Sequence, residues 1–253
     1  MTTTSPTRRE RLRTATVAEI KDLARRLLVT GGPTAISLRA IAREMGMTAP
    51  AIYRYFPSLD ALVVELTEDL YDELRESIEA ARDGCPADGC PPDGSAAEAS
   101  PLAQLAEMAR AFRRWSIAHP AEFGLMFGNP VPGVATFEDG CVTPDHAGAR
   151  FGAPFLAGFA RVWQRAPFPT PPAALIEARL GPHLAPYTAQ HGTDLPVQVI
   201  YAYLSAWTRL YGLVAMEVFG HLQWAVTEVE PLFEVELAAF VAQLTGPAPT
   251  NAA

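Results

Sequence analysis

The sequence of 253 residues predicts an all-α fold, in which a small N-terminal helical domain precedes a larger helical body. Apolar residues recur at spacings of three and four along most of the chain, which is the period of an amphipathic helix. Stretches rich in glycine and proline separate these segments and mark where helices end. Because 49% of the residues are hydrophobic, the chain has enough apolar side chains for a sizeable core, and we expect a globular protein.

Residues 1 to 13 are predicted to be a flexible basic arm that carries Arg8, Arg9, Arg11 and Arg13. Two interpretations of this arm remain open. It can reach a DNA minor groove or phosphates, as homeodomain arms do, or it can be a solvated tail.

The first helix is predicted to begin at Thr14 or Thr16 and to end at the run Gly31-Gly32-Pro33. We expect it to support the motif that follows. Its apolar stripe has helical spacing and consists of Val17, Ile20, Ala24, Leu27 and Leu28.

The segment from Ser37 to Pro57 has the pattern of a helix-turn-helix. Ser37 is placed to cap a first helix, and Gly46 can adopt the left-handed conformation that ends it. Thr48 is placed to cap a second helix, with Pro50 in its first turn, where a missing N–H is harmless. The apolar positions that face the small core are Leu38, Ile41, Ala42, Met45, Ile52 and Phe56.

The second helix of this motif leaves polar side chains on its outer surface. Hydroxyl groups, a methyl group and a guanidinium are the groups with which proteins contact phosphates and base edges. A helix pair that served only as a packing unit would not explain two tyrosines and an arginine on an outward face. We predict that the residues in contact with double-stranded DNA are Ser37, Arg39, Thr48, Ala49, Pro50, Ala51, Tyr53, Arg54 and Tyr55.

The run from Ser37 to Pro57, with the helix before it and Leu59-Asp60-Ala61-Leu62 after it, resembles the DNA-binding domain of TetR-family transcriptional regulators. The resemblance covers about residues 14 to 66. It departs from the family at one position. The family usually has a phosphate-contacting lysine at the start of the fourth helix, where this chain has Leu59, so we expect that contact to be missing.

The distribution of charge supports DNA binding although the net charge of the chain is −8. Residues 1 to 57 hold ten lysines and arginines against four acidic residues, a net charge of +6, which leaves −14 for the remainder. A basic module on an acidic body presents one face to DNA and repels it from the others.

The predicted organisation has one long connecting helix between the two functional parts. A displacement of the far end of that helix would tilt the DNA-binding domain. The predicted parts are a helix-turn-helix domain (14–57), the connecting helix (58–82), a flexible loop (83–100), a ligand-binding and dimerisation domain (101–246) and a tail (247–253).

Aromatic residues are concentrated in the body, and we expect them to enclose a cavity for a mostly apolar small molecule. The alternative is that they only fill the core. The candidate pocket residues are Phe112, Trp115, Phe123, Met126, Phe127, Phe155, Phe159, Trp163, Tyr203, Trp207 and Tyr211.

The last two helices, from Pro196 to about His221 and from Glu228 or Pro231 to Leu244, have more apolar faces than one subunit can cover. We therefore expect them to pair with their copies in a homodimer, as the resemblance also implies. The run from Ala206 to Gly212 is similar to the Trp-His-Gly signature of one regulator subgroup, with Tyr211 in place of the histidine.

Other functional classes find little support in the sequence. The five histidines are scattered, and no nucleophile elbow, phosphate loop or paired carboxylates accompany them, so we expect no enzyme. Cys85 and Cys90 form a poor zinc half-site, and we expect no metal and no cofactor. No apolar run is long enough for a membrane span and the N-terminus has no apolar signal segment, so we expect a cytoplasmic protein with no membrane partner.

The function predicted from the sequence is that of a homodimeric repressor. A small-molecule effector bound in the C-terminal domain would favour a conformation in which the two recognition helices no longer fit a palindromic operator. A regulator that binds DNA without any ligand is the alternative, and an electron-density map of a solidly packed body would favour it.

Overall fold

The computed structural model describes residues 7–85, 100–128, 147–191 and 195–246. Within these ranges the chain forms ten α-helices, a short 3-10 helix and no β-strand, which confirms the predicted all-α fold. The α-helices are α1 (Arg8–Gly31), α2 (Leu38–Glu44), α3 (Ala49–Ile52), α4 (Leu59–Asp83), α5 (Pro101–Ala118), α6 (Pro120–Phe127), α7 (Ala147–Arg165), α8 (Ala173–His191), α9 (Val197–Val218) and α10 (Glu230–Thr245), and the 3-10 helix is Pro33–Ala35.

The chain divides into two compact units. The N-terminal unit comprises Met1–Tyr71 and Ala121–Asp139, and the C-terminal unit comprises Asp72–Pro120 and Gly140–Ala253. The helix α4 runs without a break through the boundary between Tyr71 and Asp72. This division differs from the predicted domains, because the first half of α4 and nearly all of α6 group with the helix-turn-helix.

The helix α1 begins earlier than the sequence predicted, so residues 8 to 13 are helical and are not part of a flexible arm. The cause is a reciprocal cap. The Thr7 hydroxyl accepts a hydrogen bond from the Glu10 N–H at 3.2 Å, and the Glu10 carboxylate accepts one from the Thr7 N–H at 2.6 Å. These hydrogen bonds also lower the pKa of Glu10. The first six residues of the predicted arm lie outside the described residues.

The core of the N-terminal unit is built from the helical faces that the sequence pattern predicted. Each buried leucine or isoleucine stabilises the fold by about 1.5–3 kcal/mol relative to leaving it exposed. Fully or almost fully buried side chains come from α1, α2, the segment from α3 to Phe56, and α4, and they include Ile20, Ala24, Leu28, Ile41, Ala42, Ile52, Phe56, Leu62 and Leu70.

The C-terminal unit is centred on α5, α7 and α9, which pack against one another, with α8 on α9 and α10 on α5. Gly158 allows α5 and α7 to approach closely, since a Cβ atom there would lie 2.5 Å from Leu105 Cδ2. The helix α8 continues through Gly181 and Pro182, where the sequence predicted a break. Its packing on α9 outweighs the local preference of these two residues to end a helix.

Among the described residues, no helix is long and apolar enough to cross a membrane. Most of the predicted loop 83–100, the tail 247–253, Cys90, Cys141 and His146 lie outside those residues.

Candidate DNA interface and effector cavity

The turn between α2 and α3 is formed by local hydrogen bonds and one glycine. The Ser37 hydroxyl accepts from the Ala40 N–H at 3.0 Å and caps α2. Gly46 has φ = 66°, in the left-handed region, and the Met47 N–H then donates to the Ala42 carbonyl at 2.8 Å. The buried Ala42 and Ile52 hold the two helices together.

The second helix of the motif is shorter than predicted. Regular α3 ends at Ile52, and residues 53 to 55 continue as hydrogen-bonded turns, with the Tyr55 and Phe56 N–H groups both donating to the Ile52 carbonyl. Thr48 stands at the N-cap position of α3, but its side chain makes no capping hydrogen bond. Its hydroxyl therefore remains on the surface beside the exposed start of α3.

The predicted DNA-contacting residues form one outward surface around α3. Its opposite side is closed by Ile52 and Phe56, which are buried. The Tyr53 side chain is 46% exposed, which is high for so large an aromatic residue. Also exposed are Arg39, Thr48, Ala49, Pro50 and Arg54, whereas Ser37, Ala51 and Tyr55 are half-buried.

Tyr55 has a neighbour that the sequence did not indicate. The guanidinium of Arg13, in the second turn of α1, lies over the Tyr55 ring with its carbon 5.4 Å from the ring centroid. The beginning of α1 is therefore beside the segment predicted to contact DNA.

Ion pairs fix the helices that support this surface. Arg25 of α1 donates from Nε to the Glu122 carboxylate of α6 at 2.9 Å, and Lys21 of α1 pairs with Asp69 of α4. The Ser58 hydroxyl accepts from the Ala61 N–H at 3.1 Å and caps α4, as predicted. Leu59 begins α4 and is half-buried.

The C-terminal unit contains an apolar cavity of about 390 Å³ among α5, α7, α9 and α10. Its only charged lining residues are Arg209 and Glu236, which are both exposed. The polar groups therefore lie on the solvent side of an otherwise apolar space. The apolar lining is Leu102, Leu105, Ala106, Ala109, Phe155, Phe159, Ala206, Leu210, Leu213, Met216, Leu222, Leu232, Phe233, Leu237, Phe240, Val241 and Leu244.

Two of the eleven predicted pocket residues, Phe155 and Phe159, line this cavity. Phe123, Met126 and Phe127 belong to the N-terminal unit, where Phe123 and Phe127 pack with ring centroids 5.0 Å apart. The remaining six lie in the C-terminal unit in contacts with other aromatic or acidic groups, and they are Phe112, Trp115, Trp163, Tyr203, Trp207 and Tyr211.

Most of the cavity lining was assigned to other roles by the sequence. The α10 residues were interpreted as a dimer surface, and the α5 residues as one face of a packing helix. The signal that pointed to them was that α10 is apolar on nearly all sides, which exceeds what contact with α5 requires. Helical spacing alone does not tell a cavity wall from an interface.

A network of arginines and glutamates joins α5 to α9 and α10 beside the cavity. Buried Arg113 donates to both Glu217 oxygens at 2.6 and 2.8 Å and lies over the ring of Phe233. The hydrogen bonds to Glu217 raise the pKa of Arg113. Arg110 binds Glu234 in the same way and lowers the pKa of that carboxyl. These pairs hold α10 against α5.

Within the described residues, no three histidine, cysteine, aspartate or glutamate side chains are grouped so as to hold a metal ion.

Comparison with known proteins identifies the family. Residues 20–66 match the family described as bacterial regulatory proteins, tetR family, and residues 105–240 match the tetracyclin repressor-like, C-terminal domain. The chain belongs to the TetR family. The predicted resemblance is confirmed and now extends over both parts of the molecule.

Relatives of this TetR-family chain are regulators as well. It is 39% identical over 116 residues to the HTH-type transcriptional regulator Rv1816 of Mycobacterium tuberculosis (strain ATCC 25618 / H37Rv), which covers 46% of this chain and 45% of the relative. Mb1846 of Mycobacterium bovis, also an HTH-type transcriptional regulator, matches to the same extent. The chain thus spans about half the length of the curated relatives it matches.

Solved structures show the same architecture over almost the whole chain. SCO4313, a protein assigned a regulatory role, has 31% identity and a TM-score of 0.71, with 93% of this chain and 100% of that chain covered. The TetR-family transcriptional regulator PfmR from Thermus thermophilus, at 14% identity and a TM-score of 0.51 over 90% of this chain and 99% of its own, shares the fold. The TetR-family chain is thus a transcriptional regulator with a DNA-binding domain, and the hypothesis of a helical enzyme is rejected.

Proposed function

We propose that this TetR-family regulator is a homodimeric repressor that binds a palindromic operator and is released from it by a mostly apolar small molecule. The observation that carries the proposal is the surface around α3. It exposes Thr48, Tyr53 and Arg54 while the opposite side of the same segment is buried in the core. These groups suit phosphates and major-groove base edges.

Exposed apolar side chains on the last two helices support the homodimer. The segment from α9 to α10 exposes Met216, Phe219, Trp224 and Val235, and Trp224 is 86% exposed. Burial of a tryptophan removes a large apolar area from water, which favours association. Two-fold symmetry would then place two α3 segments about 34–36 Å apart, the spacing of successive major grooves.

The cavity supports a small-molecule effector. Its volume of about 390 Å³ falls in the usual range of ligand sites, and its lining fits an apolar molecule. The cavity wall includes α5, and the chain continues from α5 through His119 directly into α6, whose Glu122 binds Arg25 of α1. A change in α5 on ligand binding would reach the DNA-binding unit along this route and along α4. Tenfold release requires only about 1.4 kcal/mol of coupling.

Selection of genomic fragments with the purified full-length protein tests the DNA-binding part of the proposal. We expect enrichment of a two-fold symmetric sequence, and substitutions at Ala49 or Ala51 should change which sequence is preferred. Absence of preference for any duplex over random competitor at modest salt would overturn the proposal. Sedimentation at micromolar concentration tests the dimer, which a monomer would refute.

A cavity-filling variant tests effector release in a cell-based reporter of the selected operator. Replacement of Leu210 by Trp should leave repression intact and abolish the response to an inducing compound. Leu175→Trp on exposed α8, away from the cavity lining, is the matched control. Failure to find any compound that releases the wild-type protein would favour the alternative of a regulator that uses no ligand.

A further inference from the structure

The cations of α1 fall into two groups along the helix. In its C-terminal half, Lys21 pairs with Asp69, Arg25 with Glu122, and Arg26 with Glu44. All three cations in that half are engaged with acidic residues of α4, α6 or α2. They therefore serve the packing of the N-terminal unit.

The cations in the N-terminal half of α1 differ in both respects. Arg8, Arg9, Arg11 and Arg13 are exposed, and none of them forms an ion pair within the described residues. The acidic residue among them, Glu10, is engaged by the cap at Thr7. Four unneutralised positive charges thus stand on a helical end that is held rigid.

One side of this helical end is continuous with the DNA-contacting surface. Arg13 lies against Tyr55, and Arg9 is one turn earlier, about 40° around the helix and about 6 Å along it. Arg8 and Arg11 fall on roughly the opposite side, since residues two apart do not share a helix face. Only Arg9 and Arg13 are therefore on the side of α1 that faces the same way as Tyr55.

We infer that the first turns of α1 form a second DNA-contacting element, in which Arg9 and Arg13 bind backbone phosphates beside the bases that the α3 segment reads. The inference rests on the proposed operator binding. The capped helix orders these side chains before DNA arrives, which lowers the entropy cost relative to a flexible arm. Such contacts add affinity and register but no sequence preference, and they can offset the phosphate contact that Leu59 does not supply.

The test compares two double variants of the full-length protein on the same selected operator. Arg9→Gln with Arg13→Gln removes the proposed contacts, and Arg8→Gln with Arg11→Gln removes equal charge from the opposite side of the same helix. Each phosphate contact contributes about 0.9 to the slope of log affinity against log salt. We expect the first variant to lower that slope by about two per subunit, and the second to change it little.

The same difference appears as a fold-change in affinity. On a fourfold rise in salt, wild-type protein should lose about 12-fold more affinity per subunit than the Arg9/Arg13 variant. The loss at fixed salt should be equal on the operator and on an unrelated duplex. Arg9→Lys with Arg13→Lys should restore the slope, because lysine also binds phosphate as a point charge.

Equal slopes for the two glutamine variants, or no change in either, would overturn the inference while leaving operator binding intact. A wild-type protein that prefers no duplex would remove the proposed function and this inference together. Far-UV circular dichroism of each variant verifies that α1 remains folded, and the lysine variant provides the readout if a glutamine variant does not.

Discussion

The ion pair between Arg25 and Glu122 should respond asymmetrically to the removal of its two partners. The Glu122 side chain is 5% exposed and that of Arg25 is 31% exposed, with a hydrogen bond of 2.9 Å between them. Arg25→Met leaves a buried carboxylate without its cation. Glu122→Gln leaves a guanidinium that water can reach and retains an oxygen to accept its hydrogen bond.

The magnitudes follow from this difference in exposure. Removing one partner of a fully buried pair costs about 3–5 kcal/mol. Because Arg25 is a third exposed and water can enter the space it leaves, we expect Arg25→Met to cost about 2–3 kcal/mol. Glu122→Gln replaces a charged acceptor by a neutral one and should cost about 1 kcal/mol. Arg26→Met is the control, since its pair with Glu44 is 3.7 Å long and more than half exposed, and it should cost less than about 0.5 kcal/mol.

Urea denaturation measures these costs unit by unit. All four tryptophans belong to the C-terminal unit, so their fluorescence follows that unit alone, whereas far-UV circular dichroism follows both. We expect Arg25→Met to lower the midpoint of the dichroism transition by about 1 M urea or more. If Glu122→Gln destabilises as much as Arg25→Met, the carboxylate is not the partner whose isolation is costly, and the reasoning from burial is wrong.

Three further predictions concern the DNA interface and the α5–α10 contact. Gly46→Ala should destabilise by about 1–2 kcal/mol in urea denaturation from backbone strain alone, because φ is 66° and a Cβ atom meets nothing within 4 Å; a neutral result would contradict the left-handed turn. Tyr53→Phe and Tyr55→Phe should each weaken operator binding in fluorescence anisotropy with little change in sequence preference; unchanged affinity and salt slope in both would disprove the assigned docking. The Arg110 hydrogen bonds depress the pKa of Glu234 below its ordinary 4.5, so the stability they provide is present above that pH and is lost as the pH falls through the lower, folded-state pKa. Glu234→Gln should flatten the acid limb of the midpoint measured by tryptophan fluorescence, and an unaltered limb would argue against this linkage.

The helix-turn-helix could be predicted from the sequence because its determinants are local. A cap at Ser37, a left-handed glycine at Gly46 and a second cap at Ser58 each act within a few residues of their own position. Such features are visible in one sequence without knowledge of distant contacts. The buried positions of the motif followed from the same spacing.

The beginning of α1 was missed although its signal was present. Thr7 and Glu10 have the spacing of a capping box, but the arginines around them were interpreted as a flexible arm. Exposed arginines are compatible with a helix, and the cap decides the outcome. The contact between Arg13 and Tyr55 could not be predicted, since it depends on how α1 crosses the motif.

The position of the cavity was beyond the sequence for a different reason. Large aromatic residues were expected to line it, but Phe112, Phe151 and Trp207 pack against one another with ring centroids 5.5–5.9 Å apart. Their mutual contacts fill space rather than enclose it. The void lies instead where α10 packs on α5, and long-range packing of this kind is not encoded in helical periodicity.

The N-terminal unit is assembled from two separate stretches of sequence, and this affects how such regulators can be recombined. A chimera cut after α4 would take Arg25 and Tyr71 from one parent, whereas the Glu122 carboxylate and the Met126 carbonyl to which they donate would come from the other. Transfer of operator specificity between relatives should therefore succeed more often when α6 is exchanged together with the first four helices.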